Sequence, residues 1–261
     1  MLLVVLLTLL TQTGGAILLL AWVLWKVLKW DLAWVRLGTF VALYFVLNFT
    51  LTPYLAERYH KQPLPLRSEI IRPQNWFTVL TNRHYVHDKL YTTLMEVAEK
   101  YHQQFPERAL LYLDAGFPLG ERYPLLPHRA HFDGKAIDMA FAYSDTETET
   151  PLRRSPNFMG YGRYEGPRSG EPNWPQQCKD QQGSWWYSLP HVFALRPFND
   201  VSLDAAATRW QLRTFAEHPS TTRIFLEPHL KQRWRLMRHD KVRFHGCKAM
   251  RHDDHYHLSV R

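Results

Sequence analysis

The chain has 261 residues, a formal net charge of +8, 46% hydrophobic and 21% charged residues, and two Cys. Those totals exclude a disordered acidic tail, a collagen-like repeat and a small disulfide scaffold. A mean hydropathy of −0.36 gives no hint of a membrane protein, but the average conceals two chemically different pieces. Residues 1–55 carry only Lys26, Lys29, Asp31 and Arg36 as charged side chains, with no His and no Cys, whereas all 14 His lie from residue 56 onward. The net charge divides as +2 and +6 between the two pieces.

Met1 to Trp25 contains no charged side chain, and its apolar run is interrupted only by Thr11-Gln12-Thr13-Gly14-Gly15. A helix needs roughly 20 apolar residues to cross a bilayer, so this stretch predicts one span. With no Lys or Arg before position 26 it lacks the basic start of a cleaved signal peptide. Leu32–Leu51 predicts a second span, with Arg36 near enough to its start to snorkel outward. Trp22, Trp25, Trp30 and Trp34 cluster around the intervening turn, as interfacial aromatics do. Lys26 and Lys29 in that turn place it on the cytoplasmic side by the positive-inside rule, and both termini on the other.

Residues 56–75 form the predicted linker, extended and Pro-rich over 60–74. Residues 76–261 are long enough for one domain with its own core. Within it, Leu90, Leu94, Val97 and Tyr101 share one face of a predicted helix over 86–104. Strands are predicted at 110–113 and 135–143, long loops over 144–190, and a helix over 203–217 with Asp204 near its start. A short strand at 223–226, a basic helix at 229–238 and strands at 241–245 and 255–260 complete the series. The expected class is α+β: a mostly antiparallel sheet with flanking helices, preceded by a two-helix transmembrane hairpin.

Two histidine constellations carry the chemistry. One runs His128-Arg-Ala-His131-Phe-Asp-Gly134-Lys-Ala-Ile-Asp138; the other is His252-Asp-Asp-His255-Tyr-His257. Alternate side chains of a strand share a face, so His255 and His257 point the same way. Gly134 permits a sharp reversal between the loop histidine and the strand. Two His and one Asp from separate segments meet the ligand count of a catalytic zinc site with an open position for water. A further His beside it can serve as general base. Asp114, at the end of a predicted strand, is a candidate to orient a ligand histidine.

The joint pattern, His-x2-His-x6-Asp followed downstream by His-x2-His-x-His, resembles the penicillin-insensitive murein endopeptidases. These belong to a wider metallopeptidase group that includes lysostaphin-type enzymes, D-alanyl-D-alanine peptidases and the hedgehog amino-terminal domain. The resemblance covers two short segments within residues 128–257. It implies Zn²⁺ held by His131, Asp138 and His257, His255 as general base or transition-state stabiliser, and His252 as a second polar catalytic group, with His128 beside the site. It also implies hydrolysis of peptide bonds in peptidoglycan, in a chain anchored in the inner membrane with its catalytic domain in the periplasm. A D-Ala-D-Ala carboxypeptidase or a noncatalytic zinc-binding module of the same fold are the alternatives. Dipeptidases of the group carry Glu where His255 stands.

The remaining features are less decisive. Cys178 and Cys247 either pair in an oxidising compartment or remain two buried thiols. Residues 161–166 read as a flexible loop that could border a substrate groove, and Arg168 or Arg196 could hold a substrate carboxylate. Lys231, Arg233, Arg235 and Arg238 give the predicted helix at 229–238 a basic surface. No nucleic-acid-binding signature accompanies the positive charge.

Overall fold

The computed structural model describes residues 1–125, 131–153, 156–157, 160–181, 187 and 201–261. His128 and Arg196 lie outside the described residues. The chain is α+β with a mixed sheet and flanking helices.

The apolar amino-terminal stretch is not one helix. It forms α1 (Leu2–Thr11) and α2 (Gly14–Val27), which fold back on each other. The interrupting residues cause the break. Gln12 takes φ +65°, and Thr13 N–H donates to Thr11 O, closing a γ-turn. Gly14 and Gly15 let the helices meet, since a Cβ on Gly15 would strike Thr8 Oγ1 and come within 2.6 Å of Val4 O. Beyond them run α3 (Ala33–Phe49) and α4 (Leu51–Ala56). No single described helix is long and apolar enough to cross a membrane; the pair Ala33–Phe49 and Leu51–Tyr59, bent by 42°, meets that length and composition only together. The two spans expected from composition are therefore not shown.

The Pro-rich stretch is extended, as predicted, but it is not a linker. β1 (Lys61–Pro63) pairs antiparallel with β3 (Tyr85–His87), and β2 (Ile71–Pro73) pairs parallel with β4 (Leu110–Tyr112). Leu64 and Ile71 are fully buried in the core. Proline is tolerated because β2 is an edge strand and β1 has a partner on one side only.

The main sheet has six strands in the order β2-β4-β5-β10-β8-β9, with β5 at Ala136–Ala140, β8 at Thr221–Phe225, β9 at Val242–Arg243 and β10 at His255–Val260; β6 (Tyr143–Asp145) and β7 (Val201–Leu203) form a separate antiparallel pair. Its three central pairings are antiparallel and its two outer ones parallel. The sheet is thus mixed, because helical connections return the chain to each edge in the same direction. One connection contains α5 (Trp76–Leu80) and α6 (Asp88–Gln104); the other contains the helix Pro228–Arg233.

Alternation along β10 sorts its residues. Tyr256, Leu258 and Val260 join the core, which includes Leu90, Leu94, Val97 and Tyr101 of α6 and Leu212 and Phe215 of the helix Ala205–Glu217. His255, His257 and Ser259 alternate with them and emerge on the opposite face. Asp204 caps the helix Ala205–Glu217 by accepting from Ala207 N–H, as its position predicted.

The basic helix is shorter than expected and ends at Arg233. Its charges are engaged locally: Lys231 donates to Val242 O at 2.7 Å and Arg233 pairs with Glu171 at 2.6 Å. It does not present a free cationic face. Cys178, in the helix Trp174–Asp180, is disulfide-bonded to Cys247.

Candidate metal centre

Sheet register builds the centre. Asp138 of β5 stands directly opposite His257 of β10, whose other cross-strand neighbour is Phe225 of β8. His257 Nδ1 lies 2.9 Å from Asp138 Oδ1. His131 arrives from the loop before β5, with its Nε2 3.1 Å from His257 Nδ1 and 3.3 Å from Asp138 Oδ1. Gly134 makes that approach feasible: its φ is +74°, and a Cβ there would lie 3.0 Å from His87 N. The reversal expected at this glycine is present.

All three side chains are buried, and together they form a group that could hold a metal ion. The donor geometry fits one. Ligand bonds of about 2.0–2.1 Å in a tetrahedral site imply ligand-to-ligand edges of about 3.3 Å, close to the three separations here. The outward nitrogens are also engaged: His131 Nδ1 with Ala115 O at 2.7 Å, and His257 Nε2 with Ser259 Oγ at 3.1 Å. Such bonds select the tautomer that aims a lone pair inward. Burial disfavours charge on His131, yet Asp138 beside it holds its pKa above the ordinary value. Two imidazoles crowded against one carboxylate are the electrostatics a cation would relieve.

His255 sits beside this group, with Nε2 3.9 Å from Asp138 Oδ2. Its Nδ1 is held by Asp254 Oδ1 at 2.5 Å. Burial alone would lower its pKa, but Asp254 and then Asp138 outweigh that effect and raise it to about 9. His252 is buried with its ring 4.9 Å from that of His255. Burial and the neighbouring His255 and His257 push its pKa well below 6.5, so it is neutral. The main chain of His252 is strapped to Glu227, whose carboxylate accepts from His252 N–H and whose own N–H donates to His252 O.

Asp114 reaches the centre by a different route from the one expected. The ligand histidine is oriented by its neighbour, the Ala115 carbonyl. Asp114 O instead accepts from Asp138 N–H at 2.8 Å, and its carboxylate pairs with Arg83 at 3.2 Å.

Three further residues adjoin the centre, of which the sequence placed only Tyr161 near a site, in a loop bordering a substrate groove. Tyr161 donates to Asp138 Oδ2 at 3.1 Å and meets the His255 ring edge-on at 5.0 Å. Its loop is fastened rather than loose: Gly162 N–H donates to Asp254 Oδ2 and Glu165 N–H to Asp253 O. Asp254 was visible in the histidine run but was not singled out. His245 lies flat on Phe225 at 3.9 Å, with its ring 5.6 Å from His252. Gly160 and Gly162, both at positive φ, flank Tyr161 and were the sequence signal of a tight turn there.

Compared with protein-family models and with curated protein sequences, the chain matches none.

Proposed function

We propose that this chain is a membrane-anchored, zinc-dependent peptidase that hydrolyses peptide bonds of peptidoglycan, in the manner of a murein endopeptidase. The observation that carries the reading is the convergence of His131 Nε2, Asp138 Oδ1 and His257 Nδ1 with His255 beside them. Two nitrogens and one carboxylate oxygen suit Zn²⁺, whose catalytic sites take three protein ligands and leave the fourth position to water. When bound, zinc supplies a Lewis acid and brings the pKa of a coordinated water to about 7.

The side chains around it divide the remaining work. His255, fixed at Nδ1 by Asp254, has Nε2 turned to the centre; a bound cation would offset the carboxylates that keep it protonated in the metal-free chain, and the freed imidazole would exchange a proton with the attacking water and the leaving amine. His252, neutral and buried, can donate to a developing oxyanion. Tyr161 holds the second oxygen of Asp138, leaving Oδ1 for the metal.

Two further observations favour an exported, membrane-associated chain. The Cys178–Cys247 disulfide suits an oxidising compartment. Leu2, Leu6, Leu9, Trp34, Leu37 and Phe45 leave large apolar surface exposed on α1 and α3. A periplasmic domain on an inner-membrane anchor fits both.

The test is incubation of the full chain in detergent with purified sacculi, with and without a chelator, followed by muropeptide mass spectrometry. Zinc-dependent cleavage of cross-links supports the proposal. Release of terminal D-alanine alone would make it a carboxypeptidase. Stoichiometric zinc with no product would make it a noncatalytic zinc-binding module.

A further inference from the structure

The break between α1 and α2 carries strained backbone, and it is not left to itself. Gln12 has φ +65° and ψ −47°, a γ-turn geometry that is rare and strained for any residue with a side chain. Its amide grips one residue of the domain twice. Gln12 Nε2 donates to Leu119 O at 2.5 Å, and Leu119 N–H donates to Gln12 Oε1 at 2.8 Å. Nearby, Tyr123 donates to Thr8 O at 2.6 Å.

Leu119 belongs to the same short run as Ala115, whose carbonyl orients His131. The run is fixed from within by Lys61. Its buried ammonium donates to Phe117 O at 3.0 Å, to Gly120 O at 2.7 Å and to Phe132 O at 3.3 Å, so it ties the clamped segment to the residue after His131. A second path leaves the same turn. Asn82 Nδ2 donates to Thr13 Oγ1 and to Asn48 Oδ1, each at 2.8 Å. Next to it, Arg83 O accepts from Ala115 N–H at 2.8 Å, and the Arg83 guanidinium pairs with Asp114. Two separate hydrogen-bonded routes therefore run from the α1–α2 turn to residues 114–120.

We propose that Gln12 is a positioning residue for the metal centre: by clamping Leu119 it holds the segment whose Ala115 carbonyl sets the ring of His131. This rests on the reading of His131, Asp138 and His257 as a metal site. It makes the amino-terminal helices part of the centre's support rather than a detachable tether. The strain at Gln12 is maintained because the paired contacts with Leu119 hold the turn closed.

The test uses the full chain in detergent, with zinc as the probe and a chromogenic chelator as competitor. Gln12→Gly relaxes the positive φ while removing the clamp. It is expected to weaken zinc about tenfold, as loss of a supporting contact around a metal ligand does, and to speed hydrogen exchange over residues 115–120, with helical content unchanged. Should Gln12→Gly alter helical content, Gln12→Glu carries the test, since it keeps an oxygen for Leu119 N–H but removes the donor to Leu119 O. Its expected weakening is about threefold, the weight of a single such bond. Faster exchange over 115–120 with wild-type zinc affinity would overturn the coupling. A wild-type chain that takes up no zinc would overturn the metal-site reading on which it rests.

Discussion

His257 and Asp138 meet at 2.9 Å because they are cross-strand partners at the centre of the sheet. Their separation is set by backbone register, not by flexible side-chain choice. Removing either should therefore abolish metal uptake without unravelling the sheet. Asp138→Ala is expected to lower zinc affinity at least a hundredfold, since it takes away the only anionic donor of the group. Elemental analysis and competition titration measure this, and near-stoichiometric zinc in Asp138→Ala would refute the ligand set.

Asp254 should control the proton affinity of His255 rather than the metal. In the metal-free chain, Asp254 is the leading influence that raises the His255 pKa to about 9 against the effect of burial. Asp254→Asn removes that charge, so the imidazole should titrate well below its wild-type position. His255 in the wild type favours the folded state below its ordinary pKa, and that contribution fades as pH rises through about 9. The variant should lack this slope. Histidine NMR titration tests the first point and denaturation at several pH values the second. Turnover is expected to fall about tenfold or more, with zinc retained.

Much of this centre was legible because strands impose a period of two. Given a strand over 255–260, His255 and His257 had to share a face, and Tyr256 and Leu258 had to enter the core. Asp138 was singled out by its spacing from His131 and by the resemblance; its place between the core residues Ile137 and Met139 turns it to the same face as the histidines. Tyr161 was not legible as a partner of Asp138, since it lies in an irregular segment whose path is set by hydrogen bonds to Asp253 and Asp254, remote in sequence. The parallel edge strands were missed because β2 is three residues long and contains a proline. The amino-terminal break was foreshadowed by Thr11–Gly15. Its γ-turn depends on Leu119 and Asn82, over a hundred and about seventy residues away, and no local pattern encodes that.

The Cys178–Cys247 disulfide should support the wall of the site that carries His245. Cys247 lies two residues beyond His245, and Trp174, in the same helix as Cys178, packs on Phe244 at 5.1 Å. The bond joins residues 69 apart, worth about 4 kcal/mol in the chain-entropy account of cross-links. Cys178→Ser with Cys247→Ser is therefore expected to lower the melting temperature markedly and to expose 244–250 to proteolysis. An unchanged melting curve under reducing and non-reducing conditions would show that packing alone holds this segment.

Glu227 should give the protein a pH-dependent weakness away from the metal. Its carboxyl is buried, and burial, together with Asp253 nearby, raises its pKa to about 7. Hydrogen bonds from His252 N–H and Tyr187 oxygen to it only partly oppose this. A raised carboxyl pKa means the folded state binds the proton more tightly than the unfolded chain does. Its contribution is therefore fully present below the ordinary value of about 4.5 and is lost as pH rises through about 7. Between those limits the wild type should lose on the order of 3 kcal/mol from this group. Glu227→Gln keeps an acceptor for His252 N–H and never ionises. Denaturant unfolding of the metal-free chains should thus give similar stabilities near pH 4.5 and a more stable variant at pH 8. A constant difference across that range would mean that Glu227 stays ionised in the fold, and that Tyr187 and Arg251 stabilise its charge more than burial opposes it.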